Sequence, residues 1–220
     1  DYVALVTPGP AVRVVAAADG EAEPVAWLDL TRRAFRLHGV EGVGDVEGVD
    51  GGGVRGVRPS SDGGAPVAPG VFHGVLERAS VGLAAELCGV GRWLLDASVE
   101  YAKQREQFGR PIGSYQAIQH KLADMVVELE RAVAAVYYAA MVVDADDPDR
   151  RRAVHVAKAA AGTAAVRCAR DGIQVHGGIG YTWDHDLHLY LRRAYSGEHL
   201  LGTTAWHHDR LAELLFDRAG

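Results

Sequence analysis

At about residue 72 the spacing of apolar side chains changes from two to 3.6, and no single regular element satisfies both periods. Before the change, Tyr2-Val3-Ala4-Leu5-Val6, Val12-Arg13-Val14-Val15 and Phe35-Arg36-Leu37-His38 are short β-branched or alternating runs. Proline and glycine separate them, as in antiparallel strands. After the change, Leu83, Leu87, Val90, Leu94 and Tyr101 step by four, three, four and seven, and Ile118, Leu122, Met125, Leu129, Ala132 and Val136 alternate four and three. These are two long amphipathic helices. Asp147 reads as an N-cap with Pro148 at the first helical position, opening a third, alanine-rich helix that Gly177-Gly178 ends. A short helical stretch near 185–193 and an amphipathic segment carrying Ala205, Leu211, Leu214 and Leu215 follow. The expected fold class is α+β, mostly α: short strands, then an antiparallel four-helix-type bundle.

Residues 1–71 and 72–220 are accordingly read as two domains. Between 41 and 70, Gly42, Gly44, Gly48, Gly51, Gly52, Gly53, Gly56, Gly63 and Gly64 stand with Pro59, Pro66 and Pro69, which points to a loop-rich connection carrying one strand. No strand–glycine turn–helix surrounds these glycines, so they are no dinucleotide fingerprint. The chain starts at Asp1, directly before a strand-like run, as expected of a piece of a longer polypeptide.

Bulk properties remove several classes. With 48% hydrophobic residues the 220-residue chain can bury a core, and its net charge of −6 offers no basic stripe for nucleic acid, Arg150-Arg151-Arg152 reading as a solvated helix face. No apolar run reaches the roughly 20 residues of a membrane span. Cys88 and Cys168 lie in apolar helical segments, as buried free thiols do, and a cytoplasmic location follows as the expectation. The histidines His185, His188, His207 and His208 lack a carboxylate or thiolate at ligand spacing, and adjacent helical residues point about 100° apart, so no metal is expected.

Two polar motifs carry more than a packing role. In Tyr101-Ala102-Lys103-Gln104-Arg105-Glu106-Gln107-Phe108-Gly109-Arg110-Pro111-Ile112, running on through Ser114 and Gln116 to Met125, Gly109-Arg110-Pro111 ends one helix and Ser114 caps the next. Around that turn a guanidinium can grip a diphosphate bidentately and an aromatic ring can lie on a flat heterocycle. In Gln174-Val175-His176-Gly177-Gly178-Ile179-Gly180-Tyr181, three glycines in four residues admit a ligand to the backbone amides.

Together, some 70 residues apart on successive helices, these motifs resemble the two C-terminal signatures of the acyl-CoA dehydrogenase family. The resemblance covers about 72–210, and Asp29-Leu30-Thr31-Arg32-Arg33 with Phe35–Leu37 looks like the end of that family's middle β-domain. It implies a lipid-metabolising flavoprotein oxidoreductase that binds FAD at a subunit interface. The implied cofactor contacts are Arg105, Gln107, Phe108, Ile112 and Gln116, joined by Gln174, Gly177, Gly178 and Thr203. The family's reaction is α,β-dehydrogenation of an acyl-CoA thioester, a carboxylate taking the α-proton while hydride passes to the flavin. The resemblance further implies an oligomer, homo- or heteromeric, as a dimer of dimers, with electron-transfer flavoprotein as acceptor.

One departure bears on activity. Leu201 stands before Gly202-Thr203, where the family commonly places its catalytic glutamate, and leucine takes no proton. Some relatives carry the base near the start of the first long helix. Counting back from Arg105 reaches Ala79, with Glu77 two residues away and Glu86 two turns on, so Glu77 and Glu86 are the candidate bases. Glu198 and His199 more simply decorate the loop. Two readings stand: a dehydrogenase with a displaced base, or a non-catalytic subunit that completes the FAD site of a base-bearing partner. Leu201 favours the second. A helical interaction module without flavin is the third.

Overall fold

A computed structural model describes residues 2–6, 12–16, 21–38, 46–50, 65–66 and 69–216. Two compact units, Asp1–Val75 and Leu76–Gly220, are each folded on themselves.

In the first unit, β1 (Tyr2–Val6) and β2 (Val12–Ala16) pair antiparallel, while β3 (Glu21–Val25), β4 (Arg33–His38) and β5 (Val46–Asp50) form a second antiparallel sheet centred on β4. The short β6 (Ala65–Pro66) adds to β2. Strand β3 has no counterpart in the sequence expectation, because Pro24 breaks its apolar pattern. The proline is tolerated because β3 is an edge strand of its sheet, paired on one side with β4. Between these strands Asp29 is fully buried and accepts hydrogen bonds from the Thr31 amide, at 2.9 Å, and hydroxyl, at 2.6 Å. The Gly-rich connection expected to carry one strand contributes two, β5 and the short β6, and otherwise lies outside the described residues.

The bundle begins with α1 (Pro69–Gln104), whose 36 residues span roughly 54 Å. A tight hairpin of β7 (Glu106–Gln107) and β8 (Arg110–Pro111) and a 3-10 turn (Ile112–Ser114) lead into α2 (Gln116–Asp144). Then come α3 (Arg150–His176), a 3-10 segment (Gly177–Tyr181), α4 (Leu187–His199) and α5 (Thr204–Phe216).

Helix α3 is the axis. Ala153, Ala157, Ala161, Ala164, Ala165 and Ala169 are all buried, so neighbours approach its backbone from several sides at once. Leu87, Leu94 and Leu95 of α1, Met125, Leu129 and Ala132 of α2, and Leu187 and Ala194 of α4 close around its lower half as one core. Ala139 and Val142 of α2 meet Ala153 and Ala157 in a second cluster nearer its start. Small side chains on the middle helix thus replace bulk with proximity. Gly91 of α1 belongs to the same device, since a Cβ there would stand 3.2 Å from Leu129 Cδ1. Both cysteines are free and buried, and loss of hydration pushes the Cys88 thiol up to about 11 and the Cys168 thiol to about 12.

Two helix starts differ from expectation. Ser114 does not cap α2. Its Oγ donates to Pro111 O at 2.7 Å, and Tyr115, in extended conformation, occupies the cap position without a side-chain bond. Asp147 does cap, its Oδ1 accepting the Asp149 amide at 2.7 Å, but it caps the turn through Pro148 and Asp149 that precedes α3, whose first residue is Arg150. No described helix is long and apolar enough to cross a membrane.

Leu129 has no exposed surface and joins α2 to the core. Leu129→Ala is expected to lower unfolding free energy by about 2–5 kcal/mol, read from urea denaturation. A loss below about 1 kcal/mol would mean that the core is looser than this packing implies.

Candidate functional site

Helix α1 ends five residues before Gly109, and what lies between is a hairpin rather than the helix-ending turn that sequence alone suggests. Glu106 pairs with Pro111 and Gln107 with Arg110, leaving Phe108 and Gly109 as a two-residue loop with φ of 55° and 78°. Two successive positive φ values match the strand twist of such hairpins. For glycine this is free, but a bulky residue pays for it in backbone strain. Phe108 nonetheless sits there with 94% of its surface exposed. The hairpin base is tied down by Ile112 N–H to Arg105 O at 2.7 Å and Tyr115 Oη to Gln107 O at 3.0 Å, and the Arg110 guanidinium lies 4.1 Å over the Tyr115 ring. Arg105, Gln107 and Gln116 are exposed and Ile112 is half-buried.

The glycine turn lies at the same end of the bundle. Tyr101, four residues before Arg105, stacks on His176, one residue before Gly177, with ring centres 4.4 Å apart. His176 Nδ1 faces Gly172 O at 2.9 Å and must carry the proton, because a carbonyl only accepts. Burial lowers the pKa of this ring, so it stays neutral at pH 7. Gly177 ends α3 with φ 64°, a conformation glycine adopts without strain. Gly178 is different: its φ is not positive, and a Cβ added there would meet nothing within 4 Å. Neither the fold of this turn nor its internal packing requires a glycine at 178. Gln174 is exposed on the last turn of α3. Arg105, Gln107, Phe108, Ile112, Gln116, Gln174, Gly177 and Gly178 therefore share one end of the bundle.

Thr203 stands apart. It lies in the α4–α5 turn, which packs against α3 at Gly162, so that a Cβ on Gly162 would come 2.8 Å from Thr204 Oγ1. Gly162 and Gln174 are twelve residues apart on α3, or about 18 Å along its axis. Within one chain Thr203 serves α5 as its cap, its Oγ1 accepting the Trp206 amide at 3.2 Å. Leu201 beside it is 40% exposed and adopts φ 56°. Glu198 is occupied structurally, accepting the Thr204 amide at 2.7 Å, and His199 lies 3.6 Å from its carboxylate.

Both candidate bases are engaged by arginines. Arg150 Nε bonds Glu77 at 3.1 Å, tying the start of α1 to the start of α3, and Arg193 Nε bonds Glu86 at 2.6 Å, tying α1 to α4. Either would have to release its arginine to take a substrate proton. The histidines likewise have internal roles: His207 Nε2 lies 3.1 Å from Leu201 O and its Nδ1 2.8 Å from His155 Nδ1. Among the described residues no cluster of ligating side chains could hold a metal ion. The hairpin and the contact between half-buried His155 and buried His207 were missed by sequence reasoning. Phe108-Gly109 lacks the Asn-Gly or Asp-Gly signature of a two-residue loop, and nothing in the spacing of His155 and His207 announces their contact.

The model of the acyl-CoA dehydrogenase C-terminal domain matches residues 70–216. Acyl-CoA dehydrogenase FadE34 of Mycobacterium tuberculosis is 50% identical over 134 residues, which cover 60% of this chain and 19% of that protein. Acyl-CoA dehydrogenase IpdE2 of the same organism is 38% identical over 196 residues, covering 86% of this chain and 52% of the relative. A solved steroid ACAD, the Tcur3481-Tcur3483 G363A variant, superposes with a TM-score of 0.78 at 28% identity, over 99% of this chain and 55% of its own. The ChsE4-ChsE5 complex from Mycobacterium tuberculosis gives 0.67 at 27% identity, over 97% of this chain and 62% of its own. The chain spans about half the length of IpdE2 and a fifth of FadE34.

The histidine pair makes stability acid-sensitive. Burial, with smaller contributions from His155 and Lys158, lowers His207 from 6.5 to about 4, so an unfolded chain takes up this proton well before the folded one. Stability present above pH 6.5 is expected to fall by about 3 kcal/mol as the pH drops to about 4. Denaturation midpoints at several pH values check it, and His207→Gln should flatten that interval.

Proposed function

The chain belongs to the acyl-CoA dehydrogenase family through its C-terminal helical domain, and from that premise we propose that this bundle holds FAD for the α,β-dehydrogenation of an acyl-CoA thioester. The observation that carries the reading is Phe108, strained in backbone and exposed in side chain at the tip of a well-anchored hairpin. A protein keeps such an arrangement where something outside the chain covers the ring. Gly178 supports the same reading, since its missing Cβ leaves open space beside the Gly177 turn for a ligand to approach the backbone.

The residues present fit the group. Arg105 offers a planar fork of donors for a diphosphate, Phe108 a face for a flat ring, and Gln107, Gln116 and Gln174 exposed amides for sugar and phosphate oxygens. Ile112 packs at the hairpin base and Thr203 reaches the group from the α4–α5 turn. When bound, FAD supplies an acceptor for the hydride leaving the β-carbon. The turn that carries Thr203 meets α3 at Gly162, about 18 Å of helical rise from Gln174, which agrees with a site shared between two bundles. Val126, Val127, Tyr137 and Met141 leave exposed apolar surface on α2, as an oligomeric bundle would. Electron-transfer flavoprotein is the proposed acceptor.

A second reading is favoured by three carboxylate positions. Leu201 cannot accept a proton, and Glu77 and Glu86 are each held by an arginine. On this reading the chain is the non-catalytic subunit of a heteromeric dehydrogenase, keeping its cofactor contacts while a partner provides the base. The likeness to a steroid ACAD and to a two-component ChsE4-ChsE5 complex supports a paired enzyme acting on a bulky thioester.

The visible spectrum of the intact protein, purified alone and with its dehydrogenase-like partner and then mixed anaerobically with acyl-CoA thioesters, separates these. Flavin bound and bleached by the protein alone supports the first reading, and Glu77→Gln or Glu86→Gln should then lower turnover by about 10²–10⁴-fold. Flavin and bleaching that need the partner support the second, with both substitutions nearly silent. A colourless complex removes both. Gly178→Ala is expected to weaken flavin retention about tenfold or more while leaving the melting temperature unchanged or slightly raised, because the backbone there suits alanine.

A further inference from the structure

Lys158 is the largest fully buried side chain in the described bundle. Lysine is almost never fully buried unless its ammonium is matched, because removing that charge from water is strongly unfavourable. Here the partners are not carboxylate oxygens. Nζ donates to the backbone carbonyls of Glu198, at 2.9 Å, and Gly202, at 3.0 Å. Glu198 lies in the last turn of α4, where carbonyls lack intrahelical partners and a positive charge is favoured.

The four-residue turn between α4 and α5 is gripped from other sides. His207 Nε2–H reaches Leu201 O at 3.1 Å, and the Glu198 carboxylate holds the Thr204 amide at 2.7 Å. Gly162 brings the α3 backbone directly against Thr204, and Gly202, at φ 100°, lies so close over Trp206 that a Cβ would stand 2.5 Å from its ring. An ordinary helix connection has no need of a buried ammonium, a buried histidine and two backbone close approaches. What the turn holds is Leu201 in the left-handed region, which a leucine leaves unless its surroundings over-determine it.

We propose that Lys158 is a positioning residue: from inside the bundle, its two hydrogen bonds lock the α4–α5 turn and so fix how position 201 and Thr203 are presented to the bound cofactor. Having no exposed surface, it acts through the turn and does not touch substrate. Desolvation lowers its pKa to about 8, so most of the population still carries the charge at neutral pH. The clamp stands on the geometry alone, and its consequence for the cofactor rests on the reading of function above.

The test is Lys158→Met in the intact protein, with its partner where one is required for flavin binding, which removes both donors at similar volume. Leu129→Ala serves as a control destabilised elsewhere. Amide hydrogen exchange across 198–208 should speed up about tenfold or more in Lys158→Met with α2 unaffected, and the FAD dissociation constant should rise about tenfold, whereas Leu129→Ala leaves FAD affinity nearly unchanged. If Lys158→Met does not fold, Gly162→Ala displaces Thr204 from the other side and should give the same local signature. Unchanged exchange in 198–208, or faster exchange with unaltered FAD affinity, overturns the proposal. If the unaltered protein binds no flavin, the reading of function fails separately, and exchange alone decides whether Lys158 sets the turn.

Discussion

The close approach of backbones along α3 is the constraint on which the bundle depends. Buried alanines leave that helix thin enough for the leucines of α1, α2 and α4 to converge on it, and Gly162 lets the α4–α5 turn come nearer still. Dispersion and exclusion of water then act over many short contacts rather than a few large side chains. A helix so enclosed cannot shift without disturbing several neighbours, and it therefore serves as the fixed reference for both its ends.

Those ends do different work. At the His176 end, the Tyr101 stack brings the close of α1 to the close of α3, so the hairpin and the glycine turn emerge side by side although some 70 residues separate them. Nearer the middle, Lys158 and His207 convert the unpaired carbonyls of the α4–α5 turn into a fixed loop. In the first place exposed groups are held ready, and in the second buried polar groups do the holding. The difference follows from where water can reach: a buried ammonium or imidazole must find its hydrogen bonds within the protein, and having found them it is costly to move.

Much of this was legible before any coordinates. The change of period marked where strands give way to helices, and the two polar motifs pointed to the residues that cluster at one end of the bundle. Less legible were the local exceptions. Pro24 hid β3 because edge strands accept what central strands do not. The cap expected at Ser114 went instead to the turn behind it. Phe108-Gly109 formed a hairpin where a helix stop was expected, since a positive φ at phenylalanine is strained and is not inferred from composition. Glu77 and Glu86 could be picked out by spacing, but their arginines are 73 and 107 residues away.

Helix identity, the apolar faces, the family and the absence of a carboxylate at position 201 were determined by the sequence itself, because periodicity, motif spacing and residue type are properties of the chain in order. Only the tertiary structure decided which charged groups are spoken for. Lys158 reads as one more lysine on an alanine-rich helix, and His155 and His207 as two histidines 52 residues apart, until folding removes their water and leaves carbonyls and each other as partners. Burial and long-range pairing are set by how helices pack, and no local pattern of side chains encodes that.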